Sequence, residues 1–309
     1  AEWPVQPTTG FQFELMGYST SPEAIGPGIM QLDHFSITTV PANYARLSNV
    51  SVRNLTAEGE RTLIVGFTVD GAGTRPLVIR TVSETLGRVF GVPGVVSDVD
   101  LMLYSGATRI RTAATVAPGV ATAAQRVGAF ALDPATTDAA IAAQLFPGSY
   151  TVHAAPAAGA VRREGGALVE VYEDGLAGTR LTNLSARTEL GAEPLIVGFV
   201  VAGAEPARVL VRAVGPGLAA FGLAGFAADP RVTVIRQADG AIVAQNNDWG
   251  AATGDLAGAF ARSGAFALAA GSKDAALLLE LPPGAYTARL ENATTAPGIV
   301  VAELYQVAP

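Results

Sequence analysis

Any chemistry done by this chain must come from a short list of side chains. There are two histidines, His34 and His153, and no cysteine, which excludes thiolate nucleophiles, disulfides and cysteine-ligated metals. A triad or a metal site needs an imidazole beside carboxylates or a nucleophile. His34 and His153 sit in no such company. The chain has no Gly-x-Ser-x-Gly elbow, no His-Glu-x-x-His pair, no phosphate-binding loop and no dinucleotide fingerprint. Both histidines read as ordinary surface or half-buried rings, and no catalytic residue is assigned. The carboxylates offer more. Asp98 and Asp100 precede a strand-like stretch, and Asp239-Gly240 and Asn246-Asn247-Asp248-Trp249 crowd oxygen donors together. Calcium takes such ligands from loops, so Asp239, Asn246, Asn247 and Asp248 are the candidate calcium ligands. The competing reading is that these Asp and Asn side chains bond their own backbone in turns.

What must position these residues is a sequence that repeats itself. Arg46-Leu-Ser-Asn-Val-Ser51 returns 134 positions later as Arg180-Leu-Thr-Asn-Leu-Ser185. Ile64-Val-Gly-Phe67 returns as Ile196-Val-Gly-Phe199, and Gly128-Ala-Phe-Ala-Leu132 as Gly264-Ala-Phe-Ala-Leu268. Pro147-Gly-Ser-Tyr-Thr151 returns as Pro283-Gly-Ala-Tyr-Thr287. The chain is therefore divided into residues 1–45, repeat 1 at 46–174 and repeat 2 at 175–309. Arg80 matches Arg212, Glu170 matches Glu303, Asp138 matches Asp274 and Arg53 matches Arg187. A charge held in both copies makes either the same ion pair within each repeat or the same contact with a neighbouring subunit. His153 has no such match, for Arg289 stands in its place.

Each repeat reads as short strands ending at Gly, Pro or Asp. In repeat 1 these are 62–69, 76–82, 100–104, 139–145, 149–153 and 167–172; in repeat 2 they are 194–201, 207–214, 232–235, 275–281, 285–290 and 299–305. Phe146-Pro-Gly148 and Pro282-Pro-Gly284 are turn signals. The pattern predicts an all-β chain of two tandem antiparallel β-sandwich domains, lying end to end across a linker at 173–179. A short helix or 3₁₀ turn is expected at 215–226, with a weaker counterpart at 83–91. The Ala- and Gly-rich stretches 113–124 and 154–166 are expected as surface loops. In the first 45 residues, Phe11, Phe13 and Leu15 alternate with polar residues, the period of a half-buried strand. They are the candidates for an intersubunit strand, the other reading being that they complete repeat 1.

Hydrophobic residues make up 50% of the chain and charged residues 15%, with a net charge of −7. One lysine, Lys273, accompanies 19 arginines; with no basic patch, nucleic acid is not expected as a partner. No apolar run reaches the roughly 18 residues that a spanning helix needs. The start at Ala1-Glu2-Trp3-Pro4, without Met or a leader, is the expectation for a mature secreted protein, and also for a trimmed chain.

Val211-Arg-Ala-Val-Gly-Pro-Gly-Leu218, Ala228-Asp-Pro230, Asn246-Asn-Asp-Trp249 and Leu281-Pro-Pro-Gly-Ala-Tyr-Thr287 carry a resemblance. Together they look like a poorly characterised β-sandwich repeat of secreted and cell-surface bacterial proteins, found beside immunoglobulin-like modules. Repeat 1 departs from it, with Thr81-Val-Ser-Glu84 where the Gly-Pro turn belongs and no Asn-Asp-Trp. Asp98-Val-Asp-Leu-Met-Leu-Tyr104 with Pro147-Gly-Ser-Tyr-Thr-Val152 is similar to pre-peptidase C-terminal modules. Leu32-Asp-His-Phe-Ser-Ile37 looks like the closing strand of a jelly roll. These resemblances imply an extracellular structural or binding role and no catalytic residue. The expected function is a non-enzymatic, self-associating subunit of a bacterial surface filament or layer. The alternative is an adhesion or carbohydrate-binding module of a larger secreted assembly. No cofactor other than calcium is expected, and the expected partner is the chain itself, as a homo-oligomer or polymer.

Overall fold

The computed structural model describes residues 45–175 and 179–307. Repeat 1 contributes β1 (Arg46–Thr56), β2 (Leu63–Gly71), β3 (Arg75–Val82), β4 (Val99–Ser105), β5 (Thr108–Ala113), β6 (Ala139–Leu145), β7 (Gly148–Pro156) and β8 (Gly165–Glu173). Repeat 2 contributes β9 (Thr179–Leu190), β10 (Leu195–Ala202), β11 (Ala207–Val214), β12 (Pro230–Arg236), β13 (Ile242–Asn246), β14 (Ala275–Leu281), β15 (Gly284–Asn292) and β16 (Gly298–Gln306). The helices α1 (Glu84–Arg88), α2 (Val120–Arg126) and α3 (Leu256–Ser263) are short, and a 3₁₀ turn covers Pro216–Phe221. The chain is all-β and its strands pair antiparallel, as expected. Two stretches differ from expectation. Residues 113–124 are not simply a loop: Val120, Ala123 and Ala124 are buried at helical spacing, which folds α2 onto the sheet. In repeat 2, α3 begins where the Asp255 carboxylate caps the Gly258 N–H at 2.8 Å and ends at Gly264, φ +73°.

Pairing partners recur between the repeats. β2 pairs β7 as β10 pairs β15, and β3 sits between β6 and β8 as β11 sits between β14 and β16. β4 lies between β5 and β7 as β12 lies between β13 and β15. The first strand of each repeat behaves differently. β1 pairs β8 of its own repeat along one edge and β10 of repeat 2 along the other. β9 does the converse, pairing β16 and β2. The strands therefore form two eight-stranded runs, β6-β3-β8-β1-β10-β15-β12-β13 and β14-β11-β16-β9-β2-β7-β4-β5, each crossing from one repeat into the other.

The repeats are thus not laid end to end, and the described residues of both form one compact unit. The reason is edge satisfaction. Left within its own repeat, β1 or β9 would expose a row of unpaired N–H and C=O groups, and reciprocal pairing removes both edges. The repeated motifs meet in this crossing. Gly66 of one Ile-Val-Gly-Phe stands opposite Ser185, and Gly198 opposite Ser51. A Cβ at either glycine would come within 2.5 Å of that serine's Oγ, so the glycine admits the other repeat's strand.

Along β10 burial alternates, with Leu195, Val197, Phe199 and Val201 inward. β3 and β11 are buried on both faces because α2 and α3 cover their outer sides. One apolar core runs through both repeats. Within it Phe67 stacks on Tyr150 and Phe199 on Tyr286, both at 5.6 Å. The tyrosine hydroxyls donate to the carbonyls of Phe146 (2.9 Å) and Pro282 (2.8 Å), fixing the two Pro-Gly corners.

Candidate functional site

Three of the four matched charges, Arg80/Arg212, Glu170/Glu303 and Asp138/Asp274, are buried in matching clusters, whereas Arg53 is exposed and Arg187 reaches Glu60 of repeat 1 at 3.3 Å. On β3 the Arg80 guanidinium meets the Glu170 carboxylate of β8 at 2.6 Å, donates to the Phe130 carbonyl and lies 4.3 Å over the Phe130 ring. On β11 Arg212 meets Glu303 of β16 at 3.1 Å and donates to the Phe266 carbonyl. The Phe260 and Phe266 rings pack against it at 4.6 and 4.4 Å. Tyr172 and Tyr305 donate to Glu170 and Glu303. The asparagines of the repeated Arg-Leu-Ser/Thr-Asn motif, Asn49 and Asn183, stand opposite these tyrosines on the neighbouring strand. Asp138 accepts the N–H groups of Ser83, Glu84 and Thr85, and Asp274 those of Gly215 and Gly217, so each carboxylate ties down the turn after β3 or β11. These pairs are internal to each repeat. Burial pushes the Glu303 carboxyl up against the pull of Arg212.

A third buried cluster was not legible in the repeats because it has no copy. Glu173 at the end of β8 meets Arg75 at 2.8 Å and Arg46 at 3.1 Å and accepts the Leu181 N–H. Arg75 also donates to the carbonyls of Gly175 and Thr179, so this cluster clamps the chain where it passes from repeat 1 to repeat 2.

The candidate calcium ligands do not converge. Asp239 lies in the β12–β13 turn, where Arg236 grips its carboxylate at 3.0 and 2.7 Å and holds its pKa down to about 2. At the other end of β13, Asn246 is its last residue and Asn247 and Asp248 follow it. There Asn246 accepts the Ala276 N–H, tying β13 to β14, and Asp248 pairs with Lys273 at 3.0 Å. A whole strand separates the two groups, and no cluster of three or more His, Asp or Glu able to hold a metal occurs among the described residues. Asp100 lies beside Asp98, and burial together with that neighbour raises its pKa.

His153 on β7 stacks on Tyr104 of β4 at 4.4 Å, with Thr151 Oγ1 3.2 Å from its Nε2. Burial lowers its pKa, leaving a neutral ring on the outer face of the sheet. His34, Phe11, Phe13 and Leu15 lie outside the described residues.

The surfaces are more distinctive. β5 and β13 each end an eight-stranded run with one edge unpaired among the described residues. β5 carries Arg109 and Arg111, charges that blunt an edge. β13, Ile242-Val-Ala-Gln-Asn246, has no charge and no proline, and Ile242 is 62% exposed. Beneath α2 in repeat 1 lies a cavity of about 440 Å³, lined by Arg80, Val116, Val120, Ala124, Phe130 and Leu132 among others. No helix among the described residues is long and apolar enough to cross a membrane.

No protein-family model matches the chain, and no curated protein matches its sequence. Among solved structures, the chain is similar to the tandem family 51 carbohydrate-binding modules of a family 98 glycoside hydrolase from Streptococcus pneumoniae. That likeness has 8% identity over 83% of this chain and 84% of that one, with a TM-score of 0.22. PNGF-II is similar at 10% identity over 85% of this chain and 61% of that one, TM-score 0.20. Oxalate decarboxylase of Bacillus subtilis follows at 7% identity over 89% and 79%, TM-score 0.15. Scores this low assign neither a fold nor an activity to this chain.

Proposed function

We propose that this chain is a non-catalytic structural subunit that acts outside the bacterial cell by associating with copies of itself. The observation that carries the reading is the bare β13 edge, an uncharged strand ending an eight-stranded run. Such an edge is a template for strand addition, with main-chain hydrogen bonds supplying affinity and alternate side chains supplying register. The strand we propose to dock there is the alternating Phe11, Phe13, Leu15 stretch of a neighbouring copy, a choice supported by sequence periodicity alone. A contact between unlike surfaces propagates into a fibre instead of closing. The non-catalytic part of the proposal is supported by how the buried repeated ionisable residues are spent, in ion pairs and backbone caps.

Analytical ultracentrifugation and negative-stain microscopy of the full chain test this. The native protein assembles; Val243→Lys, or deletion of residues 1–16, gives folded monomers. A native protein that stays monomeric at high concentration overturns the proposal.

One observation favours the alternative, an adhesion or carbohydrate-binding module. The Tyr104–His153 stack, flanked by Thr151, gives repeat 1 an aromatic and hydrogen-bonding surface that repeat 2 lacks, having Arg289 at the His153 position. Glycan binding by the monomer that is lost in Tyr104→Ala would move the assignment there.

A further inference from the structure

Two exposed arginines are matched between the repeats, but the acids that answer them are not. In repeat 1, Arg126 at the end of α2 forks the Asp174 carboxylate through Nε and Nη2, at 3.1 and 2.6 Å. Arg46 at the start of β1 donates through Nε to Glu173. The offsets that align the repeats set Arg262 against Arg126 and Arg180 against Arg46, and put Gln306-Val307 where Glu173-Asp174 stand. Repeat 2 thus keeps both guanidinium groups and lacks both of those carboxylates. Arg262 instead reaches Asp255 through Nη1 alone, at 3.5 Å, and its Nε and Nη2 meet no acceptor among the described residues. Arg180 meets Asp70 of β2 at 3.6 Å. The Arg262 and Arg180 side chains are 38% and 43% exposed. Both line one pocket of about 390 Å³ between the end of α3 and the outer face of β2, β9 and β16.

We propose that this pocket binds a sugar acid, a small hydroxylated ligand whose one carboxylate is held by Arg262 beside Arg180. The uncommitted donors of Arg262 select the carboxylate. Its Nε and Nη2 form a planar fork that matches two carboxylate oxygens, as the aligned Arg126 does with Asp174. Two guanidinium groups and one carboxylate, Asp70, line the pocket, so it favours an anion over a cation. The rest of the wall sets the rest of the ligand. Thr68, Thr182 and Asn183 present hydroxyl and amide groups, which both donate to and accept from hydroxyls. No aliphatic side chain among the described residues lines the pocket, so a hydroxylated body is matched there and an alkyl or aromatic one is not. A cavity of roughly 150 Å³ already holds a six-membered ring, so one monosaccharide with its substituents fits.

Titrating the full chain with glucuronate, galacturonate, glucose and benzoate, followed by calorimetry and NMR, tests the proposal. At least one of the two uronates binds saturably at one site per chain and shifts the guanidinium Nε–H signals of Arg262 and Arg180. Glucose, which lacks the carboxylate, binds roughly 10- to 150-fold more weakly, the range that a charge-assisted hydrogen bond supplies. Benzoate, which lacks the hydroxyls, is also weaker. Arg262→Gln lowers uronate affinity by the same factor as removing the carboxylate, while the melting temperature holds because the side chain is exposed. Gln306→Glu, which gives Arg180 the acid that Arg46 has, weakens uronate binding as well. No saturable binding of either uronate by the native chain up to the solubility limit overturns the site, whatever the variants do. Glucose or benzoate binding as tightly as the uronates, or uronate binding undiminished in a folded Arg262→Gln, also overturns it.

Discussion

Replacing Glu303 by glutamine isolates the charge of the repeat 2 cluster. The side chain keeps its shape and can still accept from Tyr305, whose hydroxyl lies 2.9 Å from the native carboxylate. Arg212 loses its counter-charge while remaining 0% exposed between the Phe260 and Phe266 rings. Leaving a buried charge unpaired costs about 3–5 kcal/mol, a large part of the roughly 5–15 kcal/mol that holds a folded chain together. At about 2–4 °C per kcal/mol for a unit of this size, the melting temperature falls by roughly 6–20 °C. Urea unfolding should show a lower midpoint with an unchanged slope, since the buried surface is the same. The double variant Arg212→Met/Glu303→Leu removes both charges and sets a thioether among the two rings. It should stand within about 1 kcal/mol of the native protein or above it. If Glu303→Gln costs less than about 1 kcal/mol, or the double variant as much as the single, the pair is not the buried, mutually dependent unit described.

Phe67→Ala and Phe199→Ala, which remove rings 2% and 1% exposed, should each cost about 3–5 kcal/mol by urea unfolding; losses under about 1 kcal/mol at both would mean the core lies elsewhere. Gly198→Val should destabilise the protein by driving a side chain into Ser51, and adding Ser51→Gly should recover part of the loss, a rescue that tests the cross-repeat pairing. Burial holds the His153 imidazole below its ordinary value of 6.5, so the unfolded chain takes up a proton that the folded chain resists. Stability from this residue is full above that value and declines as the pH falls below it. NMR titration of the ring and pH-dependent melting of His153→Gln, which should lack that slope, check this; a ring titrating above 6.5 refutes it.

The repeated motifs by themselves determined the class of fold and most of its strands. Alternation in Leu195–Ala202 and the Pro-Gly corners at 147–148 and 283–284 are local signals, and local signals survive without tertiary context. The matched Arg80–Glu170 and Arg212–Glu303 pairs were legible as charges held twice, though only the structure chose an internal ion pair over a contact between subunits. Asp239 and Asn246–Asp248 looked like one donor group because they are close in sequence. A strand holds its ends apart, so nearness along the chain became distance in space. The crossing of β1 and β9 was out of reach for a different reason. Ser51 and Ser185 sit in near-identical motifs, as do Gly66 and Gly198, so either serine suits either glycine. Only closure of both sheets over one core selects the pairing between repeats. Periodicity is written in the chain; partnership between distant strands, and the spaces they leave, is decided by packing.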